Sequence, residues 1–597
     1  MNPSGHKSSD DKKQPAIPGF ERQKMVDWFS PTQLAQTGLR AVISGVFGNY
    51  ADKREIQAAL TENQEALKPF DFSGREELWI DYVSDLGSGW DSTYSAAYLL
   101  GRKELKADDR QGTSHRLKRG NILVMGGDEV YPTATAEEYS NRLVGPYRSS
   151  LSYVDEQDDP PTLFAIPGNH DWYDGLSSFI KLFCQQRWIG GWKTRQTRSY
   201  FAAKLPHNWW LWGIDIQLSA DVDKPQIDYF DEMHRLAETG EQIILCTAEP
   251  VWVYQEYQPD DKPYRNLKFF TDRYAGKKRE KTLGFRLMLT GDMHHYTSFR
   301  NTDRPDPDWK ITAGGGGAFM HPTHQVPDQL NLEEGRYEKS EAYPSARESR
   351  RLALNNLRFP FINLSFGALF ALVYLLFGWI IGSGAGGSES ILPTLADAGW
   401  TDLGRVVRTF GSMLMGSPGV TIFLVLLLGG IMAFADTKRK KPLGSWIAGF
   451  LHGGVQVVLL LAALWLGSYL VFGVGGFAVY SAAGIGLNAA VLALCGWLFS
   501  GFAMGIYLMV VTLLLSTHET EAYSSFRGAD YKNFIRMRLN REGLTVYPVK
   551  IPKACRRWRS ADPMAEGEEP WYSPDPEGSL GYGLIEDPIT IPPVKSN

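Results

Sequence analysis

Between residues 77 and 313 the chain repeats one pattern, a short apolar run that closes in a turn of Asp, Asn, His and Gly. Glu77–Ser84 leads into Asp85-Leu86-Gly87, Asn121–Met125 into Gly126-Gly127-Asp128-Glu129, and Leu163–Ile166 into Pro167-Gly168-Asn169-His170-Asp171. Ile243–Cys246 leads into Thr247-Ala248-Glu249-Pro250, Phe285–Leu289 into Thr290-Gly291-Asp292-Met293-His294-His295, and Lys310–Thr312 into the glycines 314–317. Short apolar runs bounded by turn residues read as strands. Strands that each end in polar groups are how an α/β protein gathers a site along one edge of a sheet.

A different pattern starts at residue 361. A membrane span needs about 20 apolar residues. Phe361–Gly382, Thr409–Ala435 and Pro442–His518 contain no Asp, Glu, Lys or Arg, and the last stretch is long enough for two spans. Four spans are expected, near 361–382, 413–435, 446–472 and 488–516, with the glycine-rich 473–486 as a turn. Basic residues mark the inner side. Arg347, Arg350, Arg351 and Arg358 before the first span, Lys438–Lys441, and the arginines of the tail place the large N-terminal part and the tail in the cytoplasm. The loop 383–408 falls outside. His452 is the one ionisable candidate inside a span. Transport helices usually carry more such groups, so a four-helix anchor is the expected reading.

The chain thus divides into a polar segment and helix (1–72), a soluble domain (73–345), a transmembrane region (346–518) and a tail (519–597). The first segment carries a helix over 31–60 whose apolar run is too short to span, and the first 16 residues are polar, without the pattern of a signal peptide. In the tail, Ile535, Met537 and Leu539 alternate with arginines, and Leu544 and Val546 resume the alternation after Asn540–Gly543, which predicts a hairpin near 534–551. Two strands rarely stand alone, so this hairpin is expected to dock on the soluble domain. The net charge of -5 gives no basic excess for a nucleic-acid partner. The 4 cysteines form no CxxC pair, which excludes a zinc knuckle of that type.

The strand-end residues suit phosphate-ester chemistry. A two-metal phosphoesterase needs a carboxylate bridging two divalent ions about 3.5–4 Å apart, with further oxygen and nitrogen ligands on each. The succession Gly127-Asp128, Gly168-Asn169-His170-Asp171 and Gly291-Asp292-Met293-His294, in order and after strands, resembles the calcineurin-like metallophosphoesterases over roughly residues 75–325. The resemblance implies an α/β fold, a metallophosphoesterase-type β-sandwich flanked by helices, joined here to a four-helix transmembrane region. It implies that Asp128 bridges two metals, that Asn169 binds the second, and that His294 binds the first beside Asp85. His170 would be catalytic, acting on the phosphate or leaving group from outside the metal shell, with a metal-activated water as nucleophile.

Three positions depart from the family pattern. Asp85-Leu86-Gly87 stands where the family has Asp-x-His, Glu249 where a histidine follows the fourth strand, and Asp292 where the last motif begins with histidine. Asp292, and more weakly Glu249, are therefore added as metal ligands. This oxygen-rich set favours Mn²⁺, with Mg²⁺, Fe or Zn²⁺ as alternatives. A histidine at 87 is expected to tighten the first site unless the turn requires glycine. The expected function is a membrane-anchored hydrolase of a phosphate mono- or diester, with the bilayer as its surroundings and the substrate unidentified. The alternatives are a catalytically inactive metal- or nucleotide-binding membrane sensor and, behind it, a transport protein with a regulatory soluble domain. Asp81, His295, His321, His324, Trp172, Tyr173, Arg148, Arg195 and Arg198 are peripheral candidates.

Overall fold

The computed structural model describes residues 19–36, 68–153, 159–216, 222–257, 262–275, 281–383, 391–436, 442–560, 569–576 and 580–593. The chain forms two compact units, one built of Met1–Val26, Thr37–Ala346 and Gly528–Asn597, the other of Asp27–Gln36 and Arg347–Arg527.

The first unit is mixed α/β, with two large sheets flanked by helices. All six strands expected from the apolar runs are present: β1 (Leu78–Val83), β2 (Ile122–Met125), β3 (Thr162–Ala165), β4 (Gln242–Cys246), β5 (Gly284–Thr290) and β6 (Trp309–Ala313). β1, β2 and β3 pair in parallel within one sheet. β4, β5 and β6 pair in parallel within the other. Side chains alternate across each strand. Leu78, Ile80 and Tyr82 of β1 share an apolar core with Val124, Phe164, Ile244, Leu287 and Ile311, drawn from both sheets. Trp79 and Val83 turn to the opposite face and pack with Ala96, Leu100 and Tyr147 of the covering helices. The outer face of the second sheet is covered in the same way by Phe230, Met233, Trp252 and Phe270.

The tail hairpin is longer than its sequence pattern and lies inside a sheet. β7 (Lys532–Asn540) and β8 (Gly543–Ile551) pair with each other, and β7 pairs antiparallel with β1. Ile535, Met537 and Leu539 enter the core between the sheets. Arg536, on the opposite face, is fully buried and grips Asp81 at 2.6 and 2.9 Å. Asp81 therefore belongs to a buried ion pair with the hairpin. Its carboxylate also accepts from the Gly120 N–H.

In the second unit, three helices are long and apolar enough to cross a membrane: α1 (Leu364–Gly382), α4 (Pro442–Ser468, continued as a π-helical turn to Val474) and α5 (Ala482–Leu514). The second expected span, 413–435, is broken. α2 (Leu403–Gly416) and α3 (Pro418–Ala433) meet at 101°. Ser417, extended at φ -130° and ψ 92°, precedes Pro418, which favours such a conformation before it. The 16 residues of α3 rise about 24 Å, short of the ~30 Å hydrocarbon layer. Among the described residues, three helices are long and apolar enough to span, or four if the bent pair is one span. The expected turn at 473–486 shrinks because Ser481 caps α5, its hydroxyl accepting the Gly484 N–H. Most of the expected helix 31–60, and Lys438–Lys441, lie outside the described residues.

Candidate metal centre

The carboxyl ends of the two parallel strand sets meet, and glycine makes the approach possible. A Cβ on Gly291 would lie 2.2 Å from Ser84 Oγ and 2.5 Å from Asp85 Oδ2. One on Gly168 would lie 2.1 Å from Asp128 Oδ1. The three aspartates that close these turns, Asp85, Asp128 and Asp292, all have left-handed backbones, with φ of 58°, 53° and 65°. Aspartate tolerates this region at a cost of roughly 1–2 kcal/mol per residue. Three such residues at one sheet edge mark a site where geometry outweighs local preference.

The side chains converge on Tyr131. Its hydroxyl lies 3.0 Å from Asp85 Oδ1, 2.9 Å from Asp128 Oδ2 and 2.9 Å from His294 Nε2, and His294 Nε2 is 3.5 Å from Asp85 Oδ1. A phenol carries one proton. It cannot donate to two carboxyl groups and an imidazole together, so the remaining contacts need carboxyl protons, an imidazole proton or a cation. Asp85 additionally accepts from Ser84 Oγ at 2.8 Å and from the Asp292 N–H at 3.0 and 3.1 Å. Asp128 Oδ1 accepts the His170 N–H at 2.9 Å.

Negative charge is crowded here. Burial, then Asp128 and Asp292, push the Asp85 carboxyl well above its usual range. Burial, then Asp292, push Asp128 up to about 7. Burial and the neighbouring carboxylates likewise raise Glu129, and raise Asp171 to about 7. Burial holds His294 well below its usual value, with His321 and Lys532 acting in the same direction. Lys532, fully buried on β7, donates to the Ala318 carbonyl, and burial lowers it to about 8.

Among the described residues, no group of three or more His, Cys, Asp and Glu side chains is arranged to hold a metal. Adding the phenol changes the donor set. Cis ligands around an octahedral ion at about 2.1 Å stand about 3.0 Å apart, and the donor separations around Tyr131 are 2.9–3.5 Å. Two carboxyl groups, a phenol and an imidazole, with negative charge crowded among them, are a donor set of the kind one cation takes.

The other expected ligands have their own surroundings, and Asp292 stands close enough to raise both Asp85 and Asp128. Asn169 Oδ1 is buried without a hydrogen-bond partner. Asp292 accepts a short hydrogen bond from Tyr254 Oη. Glu249 is half-buried at the end of β4. Its loop is held near the centre by the Gly291 N–H, which donates to Ala248 O at 3.0 Å. His170 Nδ1 is 2.8 Å from the Pro132 carbonyl, and its ring packs on Tyr131 and Tyr173. Burial lowers its basicity.

Position 87 cannot take a histidine. A Cβ there would lie 2.7 Å from the Glu129 carbonyl and 3.1 Å from Val130 Cα, so the backbone itself fills the space. His295, next to His294, is 1 % exposed. His321 stacks on His294 with ring centroids 4.1 Å apart. Trp172 is core, its indole N–H donating to Asp215 at 3.1 Å. Arg198 is buried beside Tyr229, and Arg148 lies over Trp571. The residue that the sequence reading missed is Tyr131, three positions after Asp128. The available signal was a hydroxyl-bearing side chain in the same strand-end loop as a ligand.

No family model matches the chain, and no curated protein matches it. Among solved structures, one described as GAP50, the anchor in the inner membrane complex of Plasmodium, is 13 % identical, with a TM-score of 0.30 over 45 % of this chain and 78 % of that one. The purple acid phosphatase PPD1 from yellow lupin seeds is 10 % identical, with a TM-score of 0.28 over 45 % of this chain and 48 % of that one. PhoD is 11 % identical, with a TM-score of 0.27 over 42 % of this chain and 59 % of that one. The chain thus spans about half of the lupin enzyme and under two thirds of PhoD.

Proposed function

We propose that the chain is a membrane-anchored, metal-dependent phosphoesterase that hydrolyses a phosphate mono- or diester. The observation that carries this reading is the convergence of Asp85, Asp128, Tyr131 and His294 in a buried acidic cluster at the meeting of the sheet edges. These four residues would hold one ion. Asp128, with Asn169, Asp292 and Glu249, would hold a second. When bound, the metals supply Lewis acidity toward the phosphoryl oxygens and a water of lowered pKa. The hard, anionic oxygen donors suit Mn²⁺, and the phenol adds iron as a close competitor.

The chain's own groups define the rest of the chemistry. The contact with Pro132 O sets His170 with its proton on Nδ1 in the neutral form, leaving Nε2 as the lone-pair nitrogen. In that state the ring receives a proton, and in its protonated state its Nε2–H orients a phosphoryl oxygen or delivers a proton to the leaving oxygen. Tyr173 packs edge-on against the same ring at 4.8 Å and limits its motion. The apolar helices of the second unit would anchor the chain, with the first unit and the tail in the cytoplasm. A membrane-proximal phosphate ester is the substrate class this arrangement suits.

The test is turnover of chromogenic mono- and diesters by the purified full chain with Mn²⁺, Fe, Mg²⁺ and Zn²⁺, alongside elemental analysis. Metal-dependent turnover supports the proposal. Stoichiometric metal without turnover of any ester favours the sensor reading. A folded chain that takes up no metal overturns the assignment of the site.

A further inference from the structure

The segment that leads into α1 has two faces. A helix over Ala346–Ala353 continues as a 3-10 turn over Leu354–Arg358 and a short helix over Phe359–Ile362. Buried residues recur at Ser349, Ala353, Asn356, Pro360, Asn363 and Gly367, the spacing of one helical face. This face packs along α5. A Cβ on Gly505 would lie 2.1 Å from the Asn356 carbonyl, and one on Gly501 would lie 2.7 Å from Pro360 Cβ. Trp497 Nε1 donates to Pro360 O at 3.0 Å.

The opposite face meets no other part of the helical unit. Arg347, Arg350, Arg351 and Arg358 are exposed, and so are Leu354, Leu357, Phe361 and Leu364 on the same side. Glu348 is the one acid between 347 and 364. Among the described residues no carboxylate pairs with these four arginines, whereas Arg527 of the same unit pairs with Asp27 at 2.7 Å. Guanidinium groups take phosphate in planar, bidentate pairs. A soluble polyanion would use the arginines and leave the apolar half of the face in water.

The register on α5 says where this face stands in a bilayer. α5 has 33 residues and rises about 50 Å, roughly 20 Å more than the hydrocarbon layer. Gly505 is about 13 Å from its Leu514 end, so Asn356 beside it stands near the hydrocarbon boundary. Ser349 is hydrogen-bonded at 3.1 Å to Tyr523, which follows the end of α5. Arg347, Arg350 and Arg351 therefore fall at headgroup depth, and Phe361 and Leu364 fall in the hydrocarbon. Arg358, between them, extends its head outward along its apolar stem. We propose that this face binds acidic phospholipids, its arginines holding the lipid phosphates and its leucines and Phe361 entering the acyl region beneath them. The assignment rests on the reading of the helical unit as a membrane anchor.

The test places the full chain in vesicles of equal phosphatidylcholine and phosphatidylglycerol, checks insertion by flotation, and extracts the protein in mild detergent. Mass spectrometry then measures the lipid that stays bound. Phosphatidylglycerol is expected to exceed phosphatidylcholine by about tenfold or more. Joint replacement of the four, Arg347→Gln, Arg350→Gln, Arg351→Gln and Arg358→Gln, should bring the ratio close to one. The matching set of lysine replacements should keep the preference, and circular dichroism checks that both sets stay helical. An inserted chain without preference overturns the proposal and leaves the anchor standing, as does a preference that the glutamine set retains. Displacement of the lipid by excess inorganic phosphate, at an ionic strength matched with chloride, would assign the arginines to free phosphate and overturn it too. A chain that enters no vesicle overturns the anchor itself.

Discussion

The two halves of the acidic site are built differently. Asp85, Asp128, Tyr131 and His294 stand 2.9–3.5 Å apart with their orientations already fixed. Asn169 Oδ1 is buried without a hydrogen-bond partner, Glu249 is half-buried, and the Asp292 carboxylate accepts from Tyr254. The first half is held by backbone. Leu86 N–H donates to Asp128 O and Gly87 N–H to Glu129 O, so the Asp85 and Asp128 turns are zipped together. The second half adds the side chains of Asn169 and Glu249 to that of Asp292, whose turn is tied to Asp85 through the Asp292 N–H. Preorganisation is therefore concentrated where the backbone turns are coupled, and occupancy of the first half should not require the second.

The largest break comes at the residue shared by both halves. Asp128→Asn removes its charge but keeps its shape and its acceptance of the His170 N–H. Loss of several kcal/mol of transition-state stabilisation is expected, about a thousandfold or more in turnover, with metal content falling at both positions. Elemental analysis of the folded variant decides it. Retention of both metals would show that the two halves do not share this carboxylate.

Tyr131→Phe acts on the first half alone. It removes one of four donors, and turnover is expected to fall on the order of a hundredfold with a weaker first metal and an unchanged second. If the ion is iron(III), a visible absorption band should vanish with the phenol. His170→Ala should lower turnover by about 10²-fold or more, within the range for a positioned acid or base, and leave both metals in place. Metal loss in this variant would move His170 into the ligand shell.

Acid–base linkage gives a smaller effect. Without metal, Asp128 and Asp171, raised to about 7 by burial and neighbouring carboxylates, stay protonated in the folded chain at pH values where the unfolded chain ionises them. The unfolded state then binds fewer protons, so stability falls as pH rises from about 4 to 7. The loss is on the order of 4 kcal/mol for each carboxyl taken alone. Bound metal should flatten this slope by pairing the charges. Melting temperatures with and without chelator across this range measure it, and a metal-free protein that gains stability with rising pH would contradict the electrostatics of the cluster.

The strands of the site were legible because each apolar run ends in a turn that a short sequence window captures. Asp85, Asp128 and His294 followed from those turns. Tyr131 did not, because a tyrosine in an α/β domain is ordinarily core, and only folding brings its hydroxyl to Asp85 and His294. The place of the hairpin inside the sheet was hidden for a similar reason. Arg536 reads as a solvated residue until Asp81, 455 positions away, is set against it. The break at Ser417-Pro418 was masked by composition, since an uncharged run looks the same whether the helix bends or not.

The smallest effect is expected at Glu249, and it bears most directly on the comparison. Glu249 is half-buried in a loop that the Gly291 N–H holds through Ala248. If the second half is as loosely organised as this, Glu249→Gln should change the first metal not at all and turnover by less than about threefold, because an amide oxygen remains a competent hard donor. Glu249→His introduces the imidazole that the family pattern has there. It should raise affinity for Zn²⁺ at the second position while leaving the first unchanged. Titration of each variant with Mn²⁺ and Zn²⁺, followed by metal content, separates the two positions. A Glu249→Gln variant that loses both metals would mean that the halves form one cooperative centre, and that the coupled turns of Asp85 and Asp128 do not suffice to hold the first.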